Sequence, residues 1–201
     1  MKLVIMTKPT FFVEEDKIIT TLFDEGLDNL HLYKPDSSPL YSERLLSLIP
    51  EDYYDRITVH EHYYLKDEYN LAGIHLPDCD TPLPENYKGK FSRTCSSLEN
   101  LKEVRKKAKY VFVPNVFDSL CPNGPKAAYT ADELKEASRR DFIDKHVYAM
   151  GGVTIDNIRE AKDLGFGGVV ISTDLWNKFD IHRQQDFKEL ISYFEKLQRT
   201  I

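Results

Sequence analysis

The fold is decided by two stretches near the end of the chain: Val147-Tyr-Ala-Met-Gly-Gly-Val-Thr-Ile-Asp-Asn-Ile158 and Gly165-Phe-Gly-Gly-Val-Val-Ile-Ser-Thr173. Each begins as a short apolar run, typical of a buried strand, and each then breaks at a turn. Glycine lets the backbone approach a ligand closely, and the start of a following helix favours an anion. The pair therefore predicts a phosphate site rather than two turns without a ligand. Its expected residues are Gly151, Gly152, Ile171 and Ser172.

Working outward, strand-like apolar runs recur along the whole chain, and amphipathic stretches separate most of them. The runs are 3–6, 29–33, 56–60, 72–76, 91–95, 110–113, 147–150 and 168–172. Apolar residues at helical spacing predict helices between them. These predicted helices are 14–26, 97–109, 130–140, 154–165 and 184–197, with a weaker one near 63–70. Ser97 is a candidate N-cap, and Thr130 with Glu133 forms a capping-box pattern.

Eight strands that alternate with helices predict a compact (β/α)₈ TIM barrel with eight parallel strands. The 201 residues fit one such domain, 1–201, because barrels of this type can be built from about 200 residues. The usual phosphate site of the fold follows strands 7 and 8, which is where the two opening stretches fall. The loops 77–87 and 118–128 follow strands, so we expect both on the active-site face.

The composition narrows the class of protein. Hydrophobic residues make up 41% and charged residues 30%, which is ordinary for a globular domain. The net charge of −6 and the lack of a basic stripe argue against a nucleic-acid partner. The apolar start of the chain is too short for a signal peptide or a membrane helix, so we expect no membrane partner and a cytoplasmic location. Three widely spaced cysteines fit reduced thiols.

Polar side chains that could do chemistry gather at the ends of predicted strands 2 to 5. Glu61 and Asp80 are candidate ligands of Mg²⁺, an ion that favours one or two carboxylates together with substrate phosphates. An equally good interpretation is that Asp80 only caps a turn. His31, His60 and His75 make a zinc site conceivable, but no short ligand spacing supports it, and hydrogen-bonded core or rim histidines are the favoured interpretation.

Four blocks of the sequence resemble a known family, from Leu3 to about Trp176. The blocks are Gly73-Ile-His-Leu-Pro-Asp-Cys-Asp80, Tyr110-Val-Phe-Val-Pro-Asn-Val-Phe117, Ala149-Met-Gly-Gly-Val153 with Asn157, and Gly165-Phe-Gly-Gly-Val-Val-Ile-Ser172. They resemble thiamine phosphate synthase and its sister branch, the thiazole tautomerases. The last two blocks occur in several phosphate-binding barrels, whereas the order and spacing of the first two make the resemblance specific.

The resemblance implies a transferase of thiamine biosynthesis that joins a hydroxymethylpyrimidine pyrophosphate to a thiazole phosphate and releases pyrophosphate with Mg²⁺. It implies small phosphorylated substrates as partners and is compatible with a homo-oligomer. Asp80 matches one metal carboxylate of the family, and Glu61 would stand in for the other. Gly152, Ile171 and Ser172 match the donors to the thiazole phosphate. The candidate catalytic residues are His31, Tyr33, Lys34, Thr94, Ser96 and Asn115.

The chain departs from the family pattern where the family binds pyrophosphate. Tyr33 and Pro35 stand in place of its strand-2 arginine and lysine, Lys34 is displaced by one residue, and Pro122 falls where a loop lysine is expected. A degenerate pyrophosphate site is therefore predicted, for which Arg93, Lys88 and Lys90 are nearby cations. The alternative is a non-catalytic or tautomerase-like paralogue that binds thiazole phosphate. Asn115 replaces the catalytic histidine of that branch.

Overall fold

The strands form where β-branched and other apolar side chains cluster in runs of three to five residues. They are β1 (Lys2–Met6), β2 (Leu30–Leu32), β3 (Ile57–Val59), β4 (Gly73–Leu76), β5 (Phe91–Thr94), β6 (Val111–Val113), β7 (Val147–Ala149) and β8 (Gly168–Ile171). In the computed structural model, which describes residues 1–180, 182–183 and 186–201, these strands close into one barrel in chain order. All neighbouring pairs are parallel, so the predicted TIM barrel is confirmed.

The barrel closes through the pairing of its first and last strands. Lys2 pairs with Gly168 and Ile5 with Ile171, and the run of four paired positions is the longest contact between any two strands. Because every strand is parallel, the carboxyl ends of all eight lie at one rim. The loops 7–14, 33–38, 60–64, 77–87, 95–100, 114–130, 150–157 and 172 therefore border a common mouth.

The connecting helices agree less well with the sequence. The structure has α1 (Glu15–Asp24), α2 (Pro39–Leu48), α3 (Leu65–Glu68), α4 (Leu101–Val104), α5 (Ala131–Arg139), α6 (Ile158–Asp163), α7 (Thr173–Trp176) and α8 (Lys188–Thr200), with a 3₁₀ helix at Glu51–Arg56. The capping box at Thr130 is confirmed by reciprocal bonds with Glu133. The predicted start of the last helix at 184 lies outside the described residues, and α8 begins at Lys188.

Two helix predictions were wrong in detail. α2 was not predicted, although Pro39 at its first turn suits a helix start. The predicted helix 97–109 contracts to α4, and Ser97 caps only the preceding turn by accepting the N–H of Asn100. The predicted loop 77–87 is confirmed, because residues 77–90, all described, contain no helix between β4 and β5. Across the described residues, no helix has the length and apolarity to cross a membrane.

Two apolar clusters hold the barrel together. The larger one lies between the outer face of the strands and the surrounding helices and includes Leu22, Leu46, Ile158 and Phe194. The smaller cluster fills part of the barrel interior. Its buried members are Val4, Tyr110, Phe112, Tyr148 and Val170. All five come from β1, β8 and the neighbourhood of β6 and β7, so the opposite half of the interior is left to other side chains.

Candidate functional site

The chain turns sharply after β7, at Gly151 and Gly152. Their φ angles are 89° and 64°, in the left-handed region that favours glycine. A Cβ on Gly151 would lie 2.7 Å from the backbone nitrogen of Asn115, and one on Gly152 would overlap the carbonyl oxygen of Asp118. The two glycines therefore let the loop after β6 pass directly over the end of β7.

A small cavity of about 150 Å³ opens beside this turn, between β7 and β8. Its lining includes Gly151, Gly152, Ser172, Thr173 and the exposed Leu120. Across residues 1–180, 182–183 and 186–201, no protein acceptor takes the N–H groups of Gly152 and Ser172. The cavity thus offers unpaired backbone donors at the two strand ends that the sequence singled out.

Side chains hold the walls of this cavity in place. Asn157 donates from Nδ2 to the carbonyl oxygen of Gly152 (2.9 Å) and accepts the N–H of Thr154 through Oδ1 (2.8 Å). Asp174 accepts the N–H of Ile155 and the hydroxyl of Tyr193, which joins the loops after β7 and β8. The donors of the cavity are therefore fixed before any ligand binds, which reduces the entropy cost of binding.

The polar half of the barrel interior contains three histidines in contact. His31 Nδ1 lies 2.8 Å from His60 Nε2, and His31 Nε2 lies 2.7 Å from the hydroxyl of Tyr110. His75 bridges the hydroxyls of Ser92 (2.8 Å) and Thr94 (3.0 Å) through its two ring nitrogens. The favoured sequence interpretation, hydrogen-bonded histidines, is confirmed.

Burial decides the charge of these rings. It lowers the pKa of His60 to about 3 and holds the pKa values of His31 and His75 well below 6.5, with further lowering by the neighbouring histidines. An imidazolium here would lose its hydration without gaining an anionic partner. All three rings are therefore neutral at physiological pH, and each keeps one nitrogen able to accept a hydrogen bond or bind a metal.

Tyr33 and Glu61 lie together at the rim above His60. The ring of Tyr33 meets that of His60 edge-on, with 5.3 Å between centroids. Burial, followed by the charge of Glu61, raises the pKa of the Tyr33 phenol. Glu61 accepts the N–H of Lys34 through Oε2 at 2.9 Å, and burial raises its pKa. Tyr33 is thus a neutral side chain in the position where the family pattern has an arginine.

Lys34 points away from the mouth. It is 1% exposed, and its Nζ donates to Glu15 Oε1 (2.6 Å) and to the carbonyl oxygens of Lys8 (2.9 Å) and Thr10 (3.1 Å). Neighbouring residues of a strand face opposite sides, so a lysine one position from the expected one enters the layer between β2 and α1. The expectation of Lys34 as a catalytic side chain is therefore corrected, since its ammonium cannot reach a ligand at the mouth.

The loop after β4 is shaped by Asp78, not Asp80. Asp78 Oδ1 accepts the N–H groups of Asp80 (2.8 Å) and Thr81 (2.6 Å) and the Thr81 hydroxyl (2.9 Å), and these bonds lower its pKa. The interpretation of Asp80 as the turn cap is therefore wrong. Arg93 clamps the same loop by donating to the carbonyl oxygens of Cys79 (2.6 Å) and Thr81 (3.4 Å). The exposed carboxylate of Asp80 stays outside the bonds that close the turn.

The remaining candidates are spread around the rim. Thr94 is bonded to His75, whereas Ser96 is exposed and its carbonyl oxygen accepts the hydroxyl of Tyr129. Asn115 has a φ of 53° and lies against Gly151. Lys90 precedes β5, and its charge, with that of Lys2, lowers the pKa of Lys109 after the main effect of desolvation. Lys90 therefore lies at the opposite end of the barrel and cannot replace a cation at the mouth.

Larger depressions lie elsewhere. One of about 930 Å³ is bordered by the 3₁₀ helix and the end of α3, and one of about 480 Å³ lies at the N-terminal end of the barrel. Neither is lined by a residue from the carboxyl ends of the strands, where barrels of this architecture place their active sites. A third depression, of about 430 Å³, lies between residues 11–16 and α2, away from the ends of β7 and β8. The small cavity at Gly152 is therefore the better phosphate-site candidate despite its size.

Sequence reasoning missed several residues that shape the site. Asp174 and Tyr110 form hydrogen bonds with residues that are distant in the sequence, so no local sequence pattern indicates their roles. The sequence indicates Arg93 only as a nearby cation. Its hydrogen bonds to the loop that contains Asp80 depend on the turn that Asp78 closes. The alternation of side chains along β2 indicates that Lys34, one residue from the family position, points to the other side of the strand, which agrees with its burial against Glu15.

Known proteins resemble this chain over most of its length. The family model of thiamine monophosphate synthase matches residues 43–175. A crystal structure of thiamine phosphate pyrophosphorylase from Bacteroides thetaiotaomicron is 50% identical and superposes with a TM-score of 0.88, covering 100% of this chain and 97% of that one. A thiamine-phosphate synthase of Flavobacterium johnsoniae is 24% identical, over an alignment that covers 79% of this chain and 81% of that synthase.

A more distant structure shares the fold. Thiamine phosphate pyrophosphorylase from Pyrococcus furiosus is 19% identical, with a TM-score of 0.69 over 98% of this chain and 96% of that one. The family match spans about two thirds of the sequence, and the glycine turn after β7 lies within it. The chain therefore belongs to the thiamine monophosphate synthase family.

Proposed function

We propose that this chain is a transferase that joins a hydroxymethylpyrimidine pyrophosphate to a thiazole phosphate, forming thiamine phosphate and pyrophosphate. The observation that carries the proposal is the 150 Å³ cavity at Gly152 and Ser172, whose backbone donors suit a phosphate group. In the reaction, pyrophosphate leaves the pyrimidine methylene carbon, and the thiazole nitrogen attacks that carbon. The chain's part is to bind both substrates in line and to exclude water.

The phosphate cavity would anchor the thiazole substrate. Gly152 and Ser172 would donate to the phosphate, and Asn157 and Asp174 hold the loops that carry them. A phosphate fixed between β7 and β8 directs the rest of the substrate toward the barrel axis. There the neutral rim formed by Tyr33, His60 and Thr94 would face the pyrimidine.

The residues present fit a Mg²⁺ ion that is completed by substrate. Asp80 has a carboxylate outside the turn bonds. Glu61 accepts the N–H of Lys34 through Oε2, and among the described residues no hydrogen bond reaches its Oε1. One or two carboxylates are what Mg²⁺ takes from proteins that also bind a phosphorylated substrate. When bound, the ion would neutralise charge on the leaving pyrophosphate. Asp80, with Glu61, would hold it.

The side-chain cations for pyrophosphate are fewer than the family pattern implies. Lys34 is buried against Glu15, Arg93 is engaged with loop carbonyls, and Tyr33 is neutral. Pyrophosphate binding is therefore expected to be weak. These observations also favour a second candidate, a paralogue that binds thiazole phosphate without transferase activity. A cytoplasmic location and homo-oligomer formation stay predictions.

The direct test incubates the chain with both substrates and Mg²⁺ and measures pyrophosphate release. Release that requires both substrates, and that falls in Asp80→Asn, would support the transferase. Tight thiazole-phosphate binding without any release would instead support the paralogue. Failure of both turnover and phosphate binding would contradict the proposal as a whole.

A negative charge introduced at the proposed phosphate cavity should weaken phosphate binding without unfolding the protein. Leu120 is 42% exposed and lines the cavity, so Leu120→Asp should leave the fold intact. Two like charges about 5 Å apart near a surface repel by a few kcal/mol before salt screening. We therefore expect thiazole-phosphate affinity to fall roughly tenfold or more by calorimetry. Leu120→Asn is the matched neutral control, and equal loss in both variants would argue against a phosphate in this cavity.

Restoring the family's cation should improve pyrophosphate binding. A charge-assisted hydrogen bond contributes about 1.5–3 kcal/mol, so Tyr33→Arg should raise affinity for the pyrimidine pyrophosphate roughly tenfold or more. Thiazole-phosphate binding should be nearly unchanged, because that ligand lies across the barrel at Gly152. Tyr33→Gln controls for loss of the phenol ring. Lower turnover in Tyr33→Arg than in the wild type would show that Tyr33 belongs to a rebuilt site.

A further inference from the structure

The barrel interior is divided between an apolar half and a polar half. Interiors of eight-stranded parallel barrels are usually filled by bulky aliphatic side chains. Here strands β2 to β5 and their ends supply His31, Thr58, His60, His75, Ser92 and Thr94. Burying three imidazoles has a desolvation cost that aliphatic side chains would avoid. Unlike the aliphatic side chains that usually fill such a barrel, the three imidazole rings can bind a ligand through their nitrogens.

The three histidines lie close together in the barrel interior. One nitrogen of each ring lies within 4.8 Å of the corresponding nitrogens of the other two. Among the described residues, this is the only group of three or more His, Cys, Asp or Glu side chains close enough to share an ion. Nitrogen ligands of a tetrahedral zinc ion are about 3.4 Å apart, as follows from Zn–N bonds near 2.05 Å. The rings therefore need small rotations, not a rearrangement of the barrel.

The partners of the outer ring nitrogens match those of metal-binding histidines. Such a histidine normally donates its second N–H to a nearby oxygen, which fixes its tautomer and orientation. His31 has the Tyr110 hydroxyl at 2.7 Å from Nε2, and Asn29 Nδ2 donates to the same hydroxyl at 3.0 Å. His75 has Ser92 Oγ at 2.8 Å from Nδ1. Two of the three rings therefore already carry an oriented outer partner.

We propose that His31, His60 and His75 bind one zinc-class divalent ion through one nitrogen each, with the fourth position facing the mouth. His60 and Thr94 are partly exposed at the rim, so water or substrate could occupy that position. Three neutral imidazoles are a ligand set suited to zinc and cobalt rather than Mg²⁺. This nitrogen site is distinct from the oxygen site at Asp80 and does not depend on the proposed transferase function.

Two local changes must accompany binding. The rings of His60 and His75 are stacked at 4.3 Å and 22°, an arrangement that cannot aim both lone pairs at one ion, so the partly exposed His60 must turn. The hydrogen bond between His31 Nδ1 and His60 Nε2 places a proton between the two nitrogens. One of these rings must therefore move its proton to its other nitrogen. Both rings stay neutral in this change of tautomer.

The test is metal binding by the untagged full chain after removal of metals with a chelator. Titration with Co²⁺ should give the intense visible absorption of a four-coordinate ion and saturate at one ion per chain. Zn²⁺ should displace Co²⁺ and raise the melting temperature. A flat titration, or weak absorption typical of six-coordinate cobalt, would overturn the proposal.

Variants then assign the site. His60→Asn is the first choice, because this ring is the least buried of the three and its loss should leave the barrel folded. We expect it to weaken binding more than a hundredfold. Tyr110→Phe, which removes an outer partner only, should weaken it by about 10–100-fold. His146→Asn alters a half-exposed histidine outside the cluster, and this variant should bind Co²⁺ as the wild type does. Equal affinity in His60→Asn and the wild type would refute the assignment.

Discussion

Lys34→Met should destabilise the barrel by about 3–5 kcal/mol at pH 8, the usual cost of leaving one member of a buried ion pair alone. Lys34 and Glu15 are 1% and 2% exposed in their side chains, and the ammonium also lies over the Phe11 ring, 4.5 Å from its centroid. Glu15 Oε2 already has no hydrogen-bond partner in the structure. Without Lys34, the carboxylate would lose its only countercharge in direct contact.

Urea denaturation of the variant and the wild type measures this loss. The double variant Glu15→Gln with Lys34→Met should recover a large part of it, because no charge is then buried. Lys17→Met, which removes an exposed pair with Glu14, should change the free energy of unfolding by less than about 1 kcal/mol. A loss below 1 kcal/mol in Lys34→Met would show that the pair does not support the layer between β2 and α1.

The buried histidines should make the fold sensitive to acid. The unfolded chain takes up protons on histidine near pH 6.5, whereas burial holds the pKa values of His31 and His75 well below that in the fold. The unfolded state therefore binds more protons below pH 6.5, and stability is lost as the pH falls. At pH 5, 1.5 units lower, each ring should have cost about 2 kcal/mol, which is about 4 kcal/mol for His31 and His75 and about 6 kcal/mol with His60, whose pKa burial lowers to about 3.

Glu15 changes the pH dependence of stability in the opposite direction, so the measurement must separate the contribution of the histidines from that of Glu15. Burial raises the pKa of Glu15 to about 7, which means that the fold binds this proton before the unfolded chain does and gains stability as the pH falls toward 4.5. We therefore compare variants. The free energy of unfolding of His75→Gln should fall by about 2 kcal/mol less than that of the wild type between pH 7.5 and 5. Parallel curves for His75→Gln and the wild type would contradict the prediction.

The barrel could be predicted from sequence because its strands are local features. Each run of apolar residues is long enough to be read without knowing its neighbours, and all eight coincide with observed strands to within about two residues. The helices were harder to predict. Short ones such as α4 and α7 are held by packing on the barrel, because four residues form too few hydrogen bonds to be stable alone. The conformation of residues 77–90 is set by the Asp78 turn and by the hydrogen bonds of Arg93. The hydrophobic periodicity of the sequence indicates neither of them.

The sequence by itself determined the fold class, the family and the glycine turn after β7. The roles of Gly151 and Gly152 can be recognised from the local sequence, because a turn with positive φ angles and a close backbone approach requires glycine. The tertiary structure alone decided which side chains meet. Closure of the barrel joins His31, His60 and His75 across 44 residues of sequence and turns Lys34 inward to Glu15. These contacts depend on strand register, and a shift of one residue would reverse every side chain between core and mouth.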